Sequence, residues 1–95
     1  MANTAEKIVK ECEEIKVMLL EKNSKYGDSA IHPSRLFSKS SPVEQILVRI
    51  DDKISRIMAN PDREDEDVIK DLIGYFVLLR IAKQEEREKV NLLER

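Results

Sequence analysis

Residues 68–82, VIKDLIGYFVLLRIA, decide the fold of this chain. Wound at about 3.6 residues per turn, the segment is apolar on nearly every side, which predicts a central and mostly buried helix. Asp71 lies within it, one turn after Asp67 and three residues before Gly74. Burying an isolated ionised carboxylate costs on the order of several kcal/mol. We therefore expect Asp71 to be ion-paired, protonated or bound to a metal.

The composition predicts an all-α protein. Charged residues make up 38% of the 95 residues and hydrophobic residues 41%, with two glycines and three prolines, a balance typical of long amphipathic helices. A chain of this length forms one domain, residues 1–95, whose own core is thin, so we expect oligomerisation to complete the fold. The net charge of −2 argues against a general nucleic-acid binder.

The sequence carries no pattern for export or membrane insertion. Its N-terminus lacks a charged and then apolar signal segment, and no apolar run reaches the roughly 18 residues that a membrane-spanning helix needs. Cys12 is the single cysteine, and a lone cysteine on an apolar stripe is interpreted as a core residue. These features predict a soluble, cytoplasmic protein.

Local signals define a first helix and a long connection. Asn3 is followed by a glutamate at the spacing of a capping box, and Gly27 is suited to a helix C-cap, so this helix should end near Lys25. The connection at residues 28–41 has no helical period. It contains three large apolar residues, so we expect it to be pinned onto the bundle, with a short helical turn at residues 33–37. Those residues are Ile31, Leu36 and Phe37.

Residues 41–44, SPVE, form a second capping box, with proline at the first helical position. The helix that begins there stops by Asn60, before a proline. An acidic segment at residues 62–67 then caps a third helix and complements the positive end of its dipole. The three helices are predicted to form an antiparallel bundle, followed by a charged helical extension at about residues 83–95.

Two of the predicted helices carry pairs of acids near their apolar faces. The second helix has Asp51 and Asp52, and the third has Asp67 and Asp71. Antiparallel packing would bring these carboxylates together, and clustered carboxylates in a helical bundle suit Mg²⁺ or Mn²⁺, which hold nucleotide phosphates. The alternatives are a solvated salt bridge for Asp52 and helix capping for Asp67.

A second group of candidate residues surrounds the end of the first helix. Phosphates need cationic donors, and a nucleotide base needs an aromatic side chain or a loop to stack on. The candidates for nucleotide binding are Lys22, Lys25, Tyr26, His32 and Arg35. The alternative for the lysines is plain solvation. For His32 it is a packing role in the loop, because no nucleophile or base accompanies it.

Three segments, taken in order, resemble a known family. They are KNSKYGDSA (residues 22–30), VRIDDKISRI (residues 48–57) and EDVIKDLIGYFVLLRIA (residues 66–82). Over roughly residues 8–83 the chain resembles the "nucleotide modification associated" domain of phages and bacteria, which is similar to the MazG-like all-α nucleoside triphosphate pyrophosphohydrolases. The resemblance implies dimers or tetramers with sites between helices, and Mg²⁺-dependent cleavage of a nucleotide between its α- and β-phosphates.

The metal-binding motifs of such enzymes match this chain in part. Their E-E-x-x-E motif falls on Asp51, Asp52 and Ser55, and their E-x-x-D motif falls on Val68 and Asp71. Two ligand positions have thus lost their carboxylate, although Asp67 adjoins one of them. The resemblance implies that Asp51 and Asp71 are catalytic residues that hold the metal, with Asp52 and Asp67 as further ligands.

Three functions remain open on this sequence. The first is a Mg²⁺-dependent nucleoside triphosphate pyrophosphohydrolase that acts in nucleotide metabolism or phage nucleotide modification. The second is a non-catalytic protein that binds a nucleotide signal on the same fold, which the missing acids at Ser55 and Val68 favour. The third is a structural helical module whose apolar stripes bind a protein partner.

Overall fold

The computed structural model describes residues 2–62 and 67–93. These residues form three helices, α1 (Thr4–Tyr26), α2 (Pro42–Ala59) and α3 (Val68–Leu93), and they contain no strand. The predicted all-α fold class is therefore confirmed, whereas the antiparallel arrangement and the oligomerisation stay predictions. Within the described ranges, no helix combines the length and the apolar character needed to cross a membrane.

The predicted capping residues define the helix ends. The side chain of Asn3 accepts a hydrogen bond from the backbone N–H of Glu6 at 2.9 Å, and that of Ser41 accepts one from Glu44 at 3.1 Å. Gly27 closes α1 in the left-handed conformation, with φ of 64°. Asp67 accepts the N–H of Lys70 at 3.0 Å, which supports the capping role, while residues 63–66 of the acidic segment lie outside the described residues.

The core lies between α2 and α3. Three residues of α2 are buried there against Ala82 of α3 and Ile31 of the connection. Around this cluster pack the half-buried side chains of Leu47, Leu72, Tyr75, Leu78 and Leu79. The three α2 residues are Val43, Ile46 and Ile50, which recur at helical spacing on one face. Burial of Ile31 confirms that the connection is anchored at this point.

The contact between α1 and α3 is smaller and depends on a glycine. A Cβ added at Gly74 would lie 2.9 Å from Met18 Cε and 3.2 Å from Leu19 Cδ2. The absence of a side chain at position 74 therefore lets α1 approach α3 closely. Ile15 is the α1 residue that this packing buries, so α1 contributes much less apolar surface to the interior than α2 does.

Several predictions about burial are wrong. Leu36 and Phe37 are 85% and 97% exposed, and residues 33–37 form no helical turn. Cys12 is exposed, so it is not a core residue. The segment at residues 68–82 is only partly buried, because two helices cannot surround a third. The exposed apolar residues of that segment are Ile69, Ile73, Phe76, Val77 and Ile81.

Candidate functional site

A cleft of about 440 Å³ opens above α3 and is walled by α1 on one side and α2 on the other. Its volume falls within the range of small-molecule sites, roughly 300–1,000 Å³. The connection after α1 closes part of the rim. The polar side chains that line the cleft are Lys22, Asn23, Tyr26, Ser29, Arg35, Gln45, Arg49, Asp71 and Tyr75. Groups from three helices and one loop therefore face a single concave surface.

The charges of the cleft favour an anionic ligand. Three cationic side chains line it, each from a different element: Lys22 from α1, Arg35 from the connection and Arg49 from α2. Asp71 is the acid that lines it. Because a concave site focuses the field of its charges, this excess of positive groups attracts anions such as phosphates.

Asp71 already has cationic partners. Its Oδ2 atom accepts a hydrogen bond from Lys53 Nζ at 3.1 Å, and its Oδ1 atom lies 3.8 Å from Lys22 Nζ. The side chains of Lys53 and Asp71 are only 13% and 21% exposed, so this ion pair is less screened than a surface pair. We expected Asp71 to be ion-paired, protonated or bound to a metal, and the structure shows it ion-paired.

Both tyrosines of the chain line the cleft. Tyr26 ends α1, and Lys25 Nζ lies 5.4 Å from the centroid of its ring, a distance suited to a cation–π contact. Tyr75 comes from the floor, on α3, where it packs partly against the core. An aromatic ring at the rim and another on the floor give a planar ligand group surfaces on which to stack.

The structure brings together some of the candidate residues and not others. Lys22, Tyr26, Arg35 and Asp71 share the cleft. Lys25 is adjacent to it through the ring of Tyr26. Three residues outside the predicted candidate set also contribute to the site, which are Arg49, Lys53 and Tyr75. For the first two a signal existed, since Arg49 and Lys53 are four residues apart and hence on one face of α2, beside its apolar stripe.

The four predicted metal ligands do not gather in one place within the chain. Asp51, Asp52 and Asp67 are exposed, and Asp67 caps α3. Among residues 2–62 and 67–93, no group of three or more histidine, cysteine or acidic side chains is arranged to hold a metal ion. The described residues of one chain thus do not present the carboxylate cluster that Mg²⁺ catalysis needs, and metal binding by these aspartates stays a prediction.

His32 lies outside the cleft lining and makes two contacts with carboxylates. Its Nδ1 atom is 2.6 Å from Asp28 Oδ2, and its Nε2 atom is 2.9 Å from Glu85 Oε2 on α3. The hydrogen bond to Asp28, then the hydrogen bond and the charge of Glu85, raise the pKa of His32 above its ordinary value. The ring therefore joins the connection to α3.

The chain was compared with protein-family models, curated proteins and solved structures, and none of them matches.

Proposed function

We propose that this chain binds a nucleotide in the cleft, with the phosphates against the cationic side chains and the base against a tyrosine ring. One observation supports this most directly: Lys22, Arg35 and Arg49 converge from three elements on the site that also holds both tyrosines. Phosphates require several positive donors, and a base requires an apolar stacking surface. A nucleotide is a small ligand whose phosphates use the cationic side chains and whose base uses an aromatic ring.

The geometry favours binding over hydrolysis. Cleavage between the α- and β-phosphates needs a metal that polarises the phosphate and activates a water molecule. Asp71, the acid of the cleft, is paired with Lys53 and lies near Lys22, and the other three aspartates are exposed. Mg²⁺ can still enter as the counter-ion of the nucleotide phosphates. Pyrophosphohydrolase activity, which the resemblance implies, is the second candidate.

A second copy of the chain, in a dimer or tetramer, completes the proposed assembly. The radius of gyration is 16.1 Å, against roughly 12 Å for a compact domain of this length. The outer face of α3 exposes Ile69, Ile73 and Phe76 at helical spacing, and a contiguous apolar face of this kind marks an interaction surface. Light scattering that gives a monomer at micromolar concentration would remove this part of the proposal.

The binding proposal is tested by a thermal-shift screen of ribo- and deoxyribonucleotides, with and without Mg²⁺. A ligand at about one hundred times its dissociation constant stabilises by ~2.7 kcal/mol, which for a domain of this size raises Tm by roughly 10 °C or more. Recovery of the nucleotide intact identifies a binder, whereas release of monophosphate and pyrophosphate identifies a hydrolase. No shift with any nucleotide contradicts the proposal and favours the structural module.

Two matched arginine variants locate the site. Arg49→Gln removes a cation from the cleft and should weaken nucleotide binding by about threefold to tenfold, because charge-assisted hydrogen bonds to an exposed group are worth about 1 kcal/mol. Arg80→Gln removes the same charge from an exposed position of α3 outside the cleft lining and should leave affinity unchanged. Equal losses in the two variants, measured by calorimetry, would mean that binding is a general charge effect.

The role of Asp71 separates the two candidate functions. If it is an ion-pair partner, Asp71→Asn makes the cleft more positive and should strengthen binding of a Mg²⁺-free nucleotide severalfold. If it is a metal ligand, the same variant should lose the Mg²⁺ dependence of binding and any turnover. The comparison of affinities with Mg²⁺ and with EDTA decides between these roles.

A further inference from the structure

The connection after α1 carries a histidine whose position links it to the cleft. We propose that His32 is a positioning residue: by bridging Asp28 and Glu85 it holds the connection, and with it Arg35, against α3, and loss of its proton releases this wall of the cleft. The inference deepens the proposed function and rests on it for the ligand, although the effect on the connection can be measured without one.

His32 bridges two carboxylates, one from the connection and one from α3. Each ring nitrogen of His32 lies within hydrogen-bond distance of a carboxylate oxygen, 2.6 Å at Asp28 and 2.9 Å at Glu85. Asp28 is held in place by its own backbone, which takes the left-handed conformation with φ of 61° and donates its N–H to Asn23 at 3.1 Å. The backbone N–H of His32 in turn bonds to the Asp28 carbonyl at 3.0 Å.

The residues on either side of His32 connect the bridge to the cleft. Ser29 and Ala30 on one side of His32 and Arg35 on the other line the cleft, while Ile31 is buried in the core. Residues 33–40 contain no helix, and the apolar residues Leu36 and Phe37 do not anchor them. The contact between His32 and Glu85 ties this part of the connection to α3.

The bridge depends on the protonation state of the His32 ring. A ring with both nitrogens facing carboxylates donates two hydrogen bonds only as the imidazolium cation, whereas the neutral ring has one N–H and one lone pair. Asp28 from the connection and Glu85 from α3 are the charged side chains that face it. Deprotonation leaves a lone pair opposite a carboxylate, so one of the two contacts is lost.

The effect on the connection is tested by NMR. The chain contains one histidine, so its ring C–H signals are read without assignment and give the pKa directly. Glu85→Gln should lower that pKa, whereas Glu86→Gln, the same change at the adjacent exposed residue, should not. The backbone amide signals of Ser29 and Arg35 should shift with the same midpoint as the ring, and this titration should vanish in His32→Gln. Amides that do not follow the ring overturn the inference.

The effect on ligand binding is tested with inorganic pyrophosphate as the probe, by calorimetry at pH 6 and pH 9. Pyrophosphate itself gains charge as the pH rises, so the measured quantity is the affinity of the wild type divided by that of His32→Gln. This ratio should be severalfold at pH 6 and close to one at pH 9. An equal ratio at both pH values overturns the coupling. If pyrophosphate and nucleotides bind neither protein, the proposed function fails, and the NMR result alone decides whether His32 positions the connection.

Discussion

The two sides of the cleft differ in how firmly they are attached to α3. On the α2 side, Val43, Ile46 and Ile50 are buried in one cluster with α3. On the α1 side, packing buries Ile15 and otherwise depends on the close approach of α1 to Gly74. One wall of the cleft thus belongs to the stable part of the molecule and the other wall does not.

This difference indicates how the site responds to a ligand. Segments with few buried apolar contacts open at a lower free energy than the whole molecule. A ligand that touches Lys22 of α1 and Arg49 of α2 at once ties the weaker wall to the stronger one. We therefore expect ligand binding to protect α1 from hydrogen exchange more than it protects α2.

The largest expected effect concerns the α2 side of the cleft, which packs more firmly against α3. Ile46 is 2% exposed, and Ile46→Ala should lower the free energy of unfolding by about 2–4 kcal/mol through lost burial and the cavity left behind. Ile8→Ala deletes the same atoms from a side chain of α1 that is 58% exposed and should change stability by less than about 1 kcal/mol. Denaturant unfolding followed by circular dichroism measures both. A large loss at Ile8 would mean that α1 is packed as firmly as α2.

An effect of intermediate size compares the two helix caps. Ser41 and Asn3 each accept the N–H three residues ahead, and replacing such a cap by alanine costs about 1 kcal/mol. Ser41→Ala should show this full loss in global unfolding, because α2 packs firmly against α3. Asn3→Ala should mainly increase hydrogen exchange in the first turn of α1. Equal losses of unfolding free energy in the two variants would show that α1 unfolds together with α2 and α3.

The sequence predicted the helices well because their limits depend on local chemistry. The caps at Asn3, Gly27 and Ser41 need only short-range hydrogen bonds and backbone conformation, which neighbouring residues determine. Burial depends on what packs against each face. For this reason the apolar segment at residues 68–82 predicted a helix correctly but a buried surface wrongly.

The cleft was only partly predictable for a related reason. Lys22 and Tyr26 were found because they share one end of α1, and the motif around them pointed there. The pairing of Asp71 with Lys53 joins residues on two helices, and no spacing within either helix reveals it. Phe37 was interpreted as an anchor because it is apolar, yet a loop side chain is buried only where a neighbour exists to cover it.

A smaller effect is expected where α1 crosses α3. In Gly74→Ala the new methyl would meet the mobile end of Met18 at 2.9 Å and Leu19 at 3.2 Å, while alanine favours the helix by about 1 kcal/mol over glycine. These terms oppose each other, so stability should change by less than about 1 kcal/mol, but α1 should shift and nucleotide affinity should fall. Met18→Ala in the same chain should restore affinity. A change in stability without a change in affinity would show that α1 does not shape the cleft.

The smallest expected effect is the pH dependence of the bridge between the connection and α3. Asp28 first, and then Glu85, raise the pKa of His32 above its ordinary value of 6.5. Since the folded-state pKa lies above the unfolded one, the bridge stabilises fully below about pH 6.5, and this stabilisation is lost as the pH rises through the folded-state pKa. The difference in Tm between the wild type and His32→Gln should therefore be largest near pH 6 and close to zero at pH 9. No other imidazole titrates in this range, because the chain has a single histidine. An equal difference in Tm at pH 6 and pH 9 would mean that the ring of His32 acts through packing alone. The connection would then belong to the firmly packed part of the molecule, together with α2 and α3, and α1 would be the loosely attached side of the cleft.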